Sequence, residues 1–325
     1  MQALWPAELI PQDVTPLFAK GHKDKRSVTY QKHERATRII RMRPILQSPP
    51  PMTHIFHPTD LTEAGATAFR HALRLAVAAP GKLTILHVTD GEAHRSDLPG
   101  VRQALVEWGL LRHPEDEEGL TALRLAVRKV ISAEGDPVAA CLDHLIRHPA
   151  QWLVLGTGQR TGTDRLLKAS VAEGLMRKSR VPALVVPAGV PGFVLPDKGR
   201  VALHRVLLPV GPPALARTAG IALHELLQRC GVAQVEVHTL TVGEATLPAD
   251  LHDRLNGRAI FVHHHADGDV VDAIVAATDR LAVDLVAMAT EGHDSLGDAV
   301  WGSRAEQVLR RLRTPVVIVP SQLPV

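Results

Sequence analysis

Apolar and polar residues alternate in blocks from residue 52 onward, and the blocks predict strands and helices in turn. Ile55–Thr59 and Leu83–Val88 are short apolar runs typical of buried strands. Between them lies one apolar face at helical spacing, formed by Phe69, Ala72, Leu73, Ala76 and Val77. Thr62 is placed to cap this helix. A further strand near Leu125–Val130 and a helix near Pro137–Arg147 continue the order, which predicts an α/β fold with a parallel sheet.

The next unit of the chain occurs twice. Trp152–Pro187 and Leu285–Pro320 each read as an apolar strand, a Gly-rich loop, a Ser, an amphipathic helix and a second apolar strand. Their serines, Ser170 and Ser303, are 133 residues apart. The second copy shows its own five strands at Arg205–Val210, Val235–Leu240, Ile260–His263, Leu285–Met288 and Val316–Val319. A repeat of this length indicates a duplicated domain, because solenoid repeats are far shorter.

We therefore predict two tandem doubly wound domains, each a five-stranded parallel sheet with helices on both faces. Their predicted bounds are residues 52–188 and 204–325, with a linker at 189–203. The first domain carries about nineteen extra residues between its second and third strands, including an amphipathic helix at Val101–Leu111. We interpret this insert as a packing element or a lid over the sheet edge.

Charge is distributed unevenly along the 325 residues. Residues 1–51 hold nine basic and four acidic residues and end in a proline run, which predicts a disordered or non-native N-terminal extension. A basic tail that binds an acidic partner or a membrane surface is the alternative. The remainder is slightly acidic and the chain has only ten aromatic residues, so a nucleic-acid surface is not expected. No apolar run reaches membrane-spanning length, no signal peptide is visible, and two cysteines within helical patterns suit a reducing cytosol, so we predict a cytoplasmic protein.

In a doubly wound sheet, ligands bind at the carboxyl ends of strands where the chain order reverses. With a flavodoxin-like order, Asp60 at the end of strand one lies beside the loop that runs from Gly156 to Ser170. A carboxylate there can accept hydrogen bonds from an adenine amine or a ribose hydroxyl. Backbone N–H groups of the loop and of the following helix N-terminus can hold phosphates.

The chain from Met52 to Val325 resembles two tandem universal stress protein domains. Ile55–Thr62 (IFHPTDLT) resembles the first strand and turn of that family, and Leu83–Val88 (LTILHV) resembles its second strand. The loop-helix units resemble the nucleotide loop of its ATP-binding branch, which reads Gly, two residues, Gly, nine residues, Gly, then Ser or Thr. The resemblance implies a stress-response regulator that binds an adenine nucleotide, ATP with Mg²⁺, and hydrolyses it slowly or not at all. It also implies pairing of the two fifth strands, here within one chain as a pseudo-dimer, with a true homodimer left open.

Each half departs from the motif in a different way. In the first, Gly156 and Ser170 match, the other two motif glycines are Gln159 and Ala169, and Gly158, Gly162 and the basic Arg160 lie nearby. In the second, Gly292, Gly302 and Ser303 match and Ala289 replaces the first glycine. The position that matches Asp60 is Gly211. An Ala in place of Gly is tolerated where φ is negative and excluded where φ is positive. The predicted nucleotide-binding residues are Asp60, Gly156, Gly158, Arg160, Gly162, Ser170, Gly292, Gly302 and Ser303.

Three other functions and one further motif can be weighed against nucleotide binding. The paired losses favour an interaction or scaffold module of the same fold with an unknown regulatory partner, and a weak ATP hydrolase that uses the second loop is the other option. A dehydrogenase is disfavoured because no dinucleotide glycine motif follows the first strand. No catalytic residue is predicted. His263-His264-His265 has the alternation that can bind zinc or nickel on a strand. We interpret it as a solvated cluster and predict no metal site.

Overall fold

The computed structural model describes residues 52–78, 80–133, 135–157, 171–245, 247–255, 257–290 and 303–321. The elements of the first half are β1 Thr53–Pro58, α1 Glu63–Val77, β2 Gly81–Val88, α2 Val101–Glu107, α3 Glu117–Leu123, β3 Leu125–Ser132, α4 Pro137–Arg147, β4 Trp152–Thr157, α5 Val171–Ser179 and β5 Ala183–Pro187. The elements of the second half are β6 Arg205–Val210, α6 Pro213–Cys230, β7 Val235–Val242, α7 Leu251–Arg254, β8 Ala259–Ala266, α8 Val270–Leu281, β9 Leu285–Thr290, α9 Ser303–Arg311 and β10 Val316–Pro320.

The ten strands in the described residues form one sheet in the order β3-β2-β1-β4-β5-β10-β9-β6-β7-β8. Every pairing within a half is parallel, and β5 and β10 pair antiparallel in the middle. The predicted tandem α/β fold and the intrachain pairing of the fifth strands are therefore confirmed. The predicted bounds of the two domains and the linker stay a proposal.

The two halves are related by an approximate two-fold axis at the centre of the sheet. Leu184 pairs with Val317, which lies 133 residues later and is its own equivalent in the repeat. The flanking pairs Val185–Val316 and Ala183–Ile318 are equivalent to each other by the same offset. The same exchange occurs between α5 and α9. Arg177 Nη2 lies 2.5 Å from Glu306 Oε2, and Arg310 Nε lies 3.4 Å from Glu173 Oε1. This is the reciprocity expected of a two-fold interface between like subunits.

The hydrophobic core lies in two layers, one on each face of the sheet, and both layers run across the two halves. Ile55, Leu184 and Val206 face the layer that contains α1 and α6. Phe56 and Leu207 face the opposite layer, which contains α4, α5, α8 and α9. Because strand residues alternate between faces, each short apolar strand contributes to both layers.

The linker between the halves packs on α1. Phe193 and Val194 are fully buried, and both of their backbone N–H groups donate to His71 Nε2, at 3.1 and 3.2 Å. His71 Nδ1 in turn donates to the Thr67 carbonyl at 2.7 Å. Gly192 has φ +66°, and a Cβ there would lie 2.3 Å from the His71 ring. The linker is thus seated on a helix of the first half by a buried imidazole.

The largest difference between the halves lies between the second and third strands. Residues 89–124 connect β2 to β3, whereas residues 243–258 connect β7 to β8, so the first connection is about twenty residues longer. Its helix α2 begins at Val101 as predicted but ends at Glu107. Val101, Leu105 and Trp108 are buried in the core. The insert therefore packs against the core of the first half, which agrees with its interpretation as a packing element.

Candidate functional site

The chain order reverses between β1 and β4. These strands pair only at Ile55–Trp152 and Phe56–Leu153, and β1 leads to α1 in one core layer while β4 precedes α5 in the other. Beyond those pairs, the His57 side chain joins the two strands through a 2.8 Å hydrogen bond from Nδ1 to the Val154 carbonyl. A crevice at the carboxyl ends of diverging strands is where doubly wound sheets bind ligands.

The ring of His57 is a neutral group beneath this crevice. It is fully buried, and burial lowers its pKa to about 4, against the opposing effects of the hydrogen bond to Val154 and the charge of Asp60. Since the Val154 carbonyl only accepts, Nδ1 carries the proton and Nε2 is an acceptor. Nε2 has no hydrogen-bond partner in the described residues. The buried ring is therefore satisfied at Nδ1 only.

Asp60 stands at the carboxyl end of β1, exposed to solvent. Its Oδ1 accepts hydrogen bonds from the Thr62 backbone N at 3.1 Å and from the Thr62 hydroxyl at 2.7 Å. Thr62 also caps α1, since its Oγ1 accepts from the Gly65 N at 3.4 Å, as the sequence predicted. The spacing Asp60-x-Thr62 therefore ties the carboxylate to the cap of α1. This tie was not part of the sequence prediction.

The predicted phosphate-binding residues are described only in part. Gly156 lies in β4 and pairs with Val186 of β5. Ser303 is the first residue of α9, consistent with its prediction as a helix-start residue. The other predicted residues, Gly158, Arg160, Gly162, Ser170, Gly292 and Gly302, lie outside the described residues.

The second half has the same crevice with a different rim. β6 and β9 pair at Val206–Leu285 and Leu207–Val286, which places Gly211 at the position of Asp60. The following helix begins at Pro213 and has no side-chain cap. A Cβ on Gly211 would contact nothing within 4 Å, and its φ lies outside the left-handed region.

Ala289, which replaces the first motif glycine of the second loop, lies within β9 and is not among the residues with positive φ. The backbone there accepts a Cβ. Sequence alone left this point undecided, and the structure shows that this substitution does not strain the strand.

The three consecutive histidines all lie inside β8, which extends to Ala266 and not only to the predicted end at His263. His264 faces His238, with His238 Nδ1 and His264 Nε2 2.9 Å apart, whereas His263 and His265 occupy the other face. In the part of the chain that the structure describes, no group of three or more His, Cys, Asp or Glu side chains is arranged to hold a metal ion.

Comparison with known proteins identifies the class. The model of the universal stress protein family matches residues 52–187 and 232–320, which is more than half of the chain. The chain therefore belongs to the universal stress protein family. A universal stress protein of Methanocaldococcus jannaschii is 29% identical over 139 residues, covering 40% of this chain and 78% of the relative. In the described residues, no helix is long and apolar enough to cross a membrane.

Solved structures share the fold over most of the chain. A universal stress protein from Archaeoglobus fulgidus matches 83% of this chain and 98% of its own length, with a TM-score of 0.52 and 18% identity. A Pseudomonas aeruginosa protein of unknown function matches 83% of this chain and 92% of its own, with a TM-score of 0.53 and 12% identity. These similarities establish the fold.

Proposed function

We propose that this protein binds an adenine nucleotide, ATP with Mg²⁺, as a regulatory ligand in the response to stress, and that it does not turn the nucleotide over rapidly. The observation that carries the proposal is Asp60, an exposed carboxylate held by the cap of α1 at the point where β1 and β4 separate. An oriented acceptor at that point suits the amine of adenine or a hydroxyl of ribose.

The phosphate side of the proposed site rests on the loops that follow β4 and β9. Gly156 is the next-to-last residue of β4, and Ser303 is the first residue of α9. A helix N-terminus presents free backbone N–H groups and the positive end of the helix dipole, both of which attract phosphate. The predicted roles of Gly158, Arg160, Gly162, Ser170, Gly292 and Gly302 belong to this proposal.

Slow turnover is proposed because of the titratable groups at the crevice. His57 is neutral, fully buried and committed through Nδ1 to a backbone carbonyl, so it does not reach a water molecule in the crevice. Asp60 is an exposed carboxylate with Oδ1 engaged by Thr62. A general base needs hydrogen-bond reach to its proton and a pKa near the working pH.

A second candidate, an interaction module without a nucleotide, is favoured by one observation in the second half. The second half has Gly211 followed by prolines, so it lacks both the carboxylate and the side-chain helix cap that the first half has at its rim. If the first loop is equally inactive, the fold serves as a surface for a regulatory protein partner.

Isothermal titration with ATP, ADP and AMP distinguishes these functions. We expect saturable heat with at least one of them. If the first half binds, the affinity should be at least tenfold weaker in Asp60→Ala; if the second half binds, it should be at least tenfold weaker in Gly302→Val. Asp279→Asn, which removes an exposed acid at the end of α8, is the matched control and should bind as the wild type does. No heat with any of the three nucleotides at millimolar concentration would reject the nucleotide function and favour the interaction module.

A further inference from the structure

The edge strand β8 presents two histidines side by side. His263 and His265 are two residues apart and exposed, so their side chains leave the same face of the strand. Two residues along a strand span about 6.6 Å, a separation that two imidazole rings can bridge to one ion. His264 lies between them and faces the opposite side, where it contacts His238.

The neighbouring strand β7 holds both imidazole rings. Thr239 and Thr241 stand opposite His263 and His265 in the parallel register. Thr239 Oγ1 lies 2.7 Å from His263 Nδ1, and Thr241 Oγ1 lies 3.2 Å from His265 Nδ1. Each ring is therefore anchored through Nδ1, which leaves Nε2 as the atom available to a ligand.

The hydrogen bonds of Thr241 also fix the tautomer of His265. The Thr241 hydroxyl donates its single proton to the His264 carbonyl at 3.2 Å. It can then only accept from His265 Nδ1, so Nε2 of the neutral ring carries the lone pair. A histidine that donates one ring N–H to a protein oxygen and offers the other nitrogen is the usual form of a metal ligand.

Two further donors lie next to this pair. Asp267 Oδ1 is 3.5 Å from His265 Nε2. The ring centroid of His252 in α7 is 5.8 Å from that of His263, and the His252 ring is stacked on Phe261 with centroids 4.0 Å apart. Either group can supply a third ligand after a side-chain rotation, and solvent can supply the rest.

The first half shows why this face is open in the second. The registers β2–β3 and β7–β8 place Lys129 at the position of His263. Lys129 Nζ donates to the Leu98 carbonyl of the insert at 3.1 Å, so the equivalent face is covered there. The second half has the shorter connection, and its two histidines face solvent.

We propose that His263 and His265 form a site for a divalent transition metal ion of the Cu²⁺–Zn²⁺ group, bound through both Nε2 atoms. Imidazole nitrogen suits these ions, and Cu²⁺ is the one that nitrogen sites hold most tightly. Two protein ligands are fewer than a structural zinc site has, so the ion exchanges with solvent. This revises the interpretation of the histidine run as a solvated cluster, and the site is independent of the proposed nucleotide site.

Titration with Cu²⁺ alone, followed by calorimetry and electron paramagnetic resonance, tests the site. The wild type should bind one Cu²⁺ more tightly than any other, with hyperfine coupling to imidazole nitrogens. The double variant His263→Asn with His265→Asn should bind this Cu²⁺ at least tenfold more weakly than the wild type. Thr241→Val should bind it about tenfold more weakly, because one ring is no longer held in place. The matched control, His94→Asn with His113→Asn, removes two exposed histidines elsewhere and should bind as the wild type does.

Thermal unfolding without metal verifies that each variant is folded. Metal added in excess should then raise the unfolding midpoint of the wild type and the control, but not that of the His263/His265 double variant. The proposal is overturned if the double variant keeps the tightest Cu²⁺, if the control loses it equally, or if the wild type binds no Cu²⁺ above the level of the double variant.

Discussion

The two halves of this protein share one framework but differ at the rim of the crevice. β1–β4 and β6–β9 pair in the same register, and both halves contribute to the same two core layers. At the crevice the first half has Asp60, tied to a helix cap, and the second has Gly211 before an uncapped helix. The framework is set by buried apolar residues in both copies, whereas the rim of the crevice differs by single residues.

The strongest test of the shared framework is the central strand pair. Leu184→Asp places a carboxylate at the fully buried centre of the sheet, where nothing pairs with it. We expect a loss of more than about 4 kcal/mol in the free energy of unfolding, or no folded protein. Ile146→Asp, at a side chain that is 79% exposed, is the control and should change stability by less than about 1 kcal/mol. Equal effects in urea unfolding would show that the β5–β10 pairing is not central.

Acid should destabilise the protein through histidines of the first half. Burial lowers the pKa values of His57 and His71 to about 4 from an ordinary value of 6.5. Between these values the unfolded chain takes up protons that the folded protein does not, so stability falls as pH drops from about 6.5 to 4. The full loss approaches roughly 3 kcal/mol for each ring. Urea unfolding from pH 7 to 4 should show this slope, and a flat profile would contradict it.

The packing of the linker on α1 should depend on His71. His71→Leu fills the site with an apolar side chain but leaves the buried N–H groups of Phe193 and Val194 without their acceptor. We expect a loss of about 2 kcal/mol in the free energy of unfolding and a shallower acid slope, because one titrating ring is removed. His224→Leu in α6 removes a ring whose buried Nδ1 has no partner in the described residues, and should cost less. An equal loss of unfolding free energy in the two variants would show that the hydrogen bonds between the linker and His71 do not stabilise the protein.

The reciprocal ion pairs should give the smallest effect. A double-mutant cycle on Arg177 and Glu306 should give a coupling of about 0.5–1 kcal/mol, because Glu306 is largely buried. The cycle on Arg200 and Asp197, both more than half exposed, should give a coupling near zero. If the coupling for Arg177–Glu306 is as small as for this control, the α5–α9 ion pair does not contribute to stability.

The sequence predicted the framework well because periodicity and the repeat report directly on buried faces. The strands β1 and β4, and their counterparts β6 and β9, follow from apolar runs in repeated order. The tie between Asp60 and Thr62 and the grip of His71 on the linker were missed, since both depend on which atoms meet in three dimensions. His263 and His265 are exposed, as expected of a solvated cluster, but the hydrogen bonds of their rings to Thr239 and Thr241 depend on the register of β7 and β8 and were missed as well.

Native mass spectrometry of the freshly purified protein with Mg-ATP tests the central claim most directly. The account predicts a mass shift of one nucleotide that is lost in Asp60→Ala or in Gly302→Val, which assigns the half that binds. In Gly211→Asp the open space at the rim of the second half admits the missing carboxylate, and occupancy of that half should rise. No shift at millimolar ATP would contradict nucleotide binding and make the protein an interaction module.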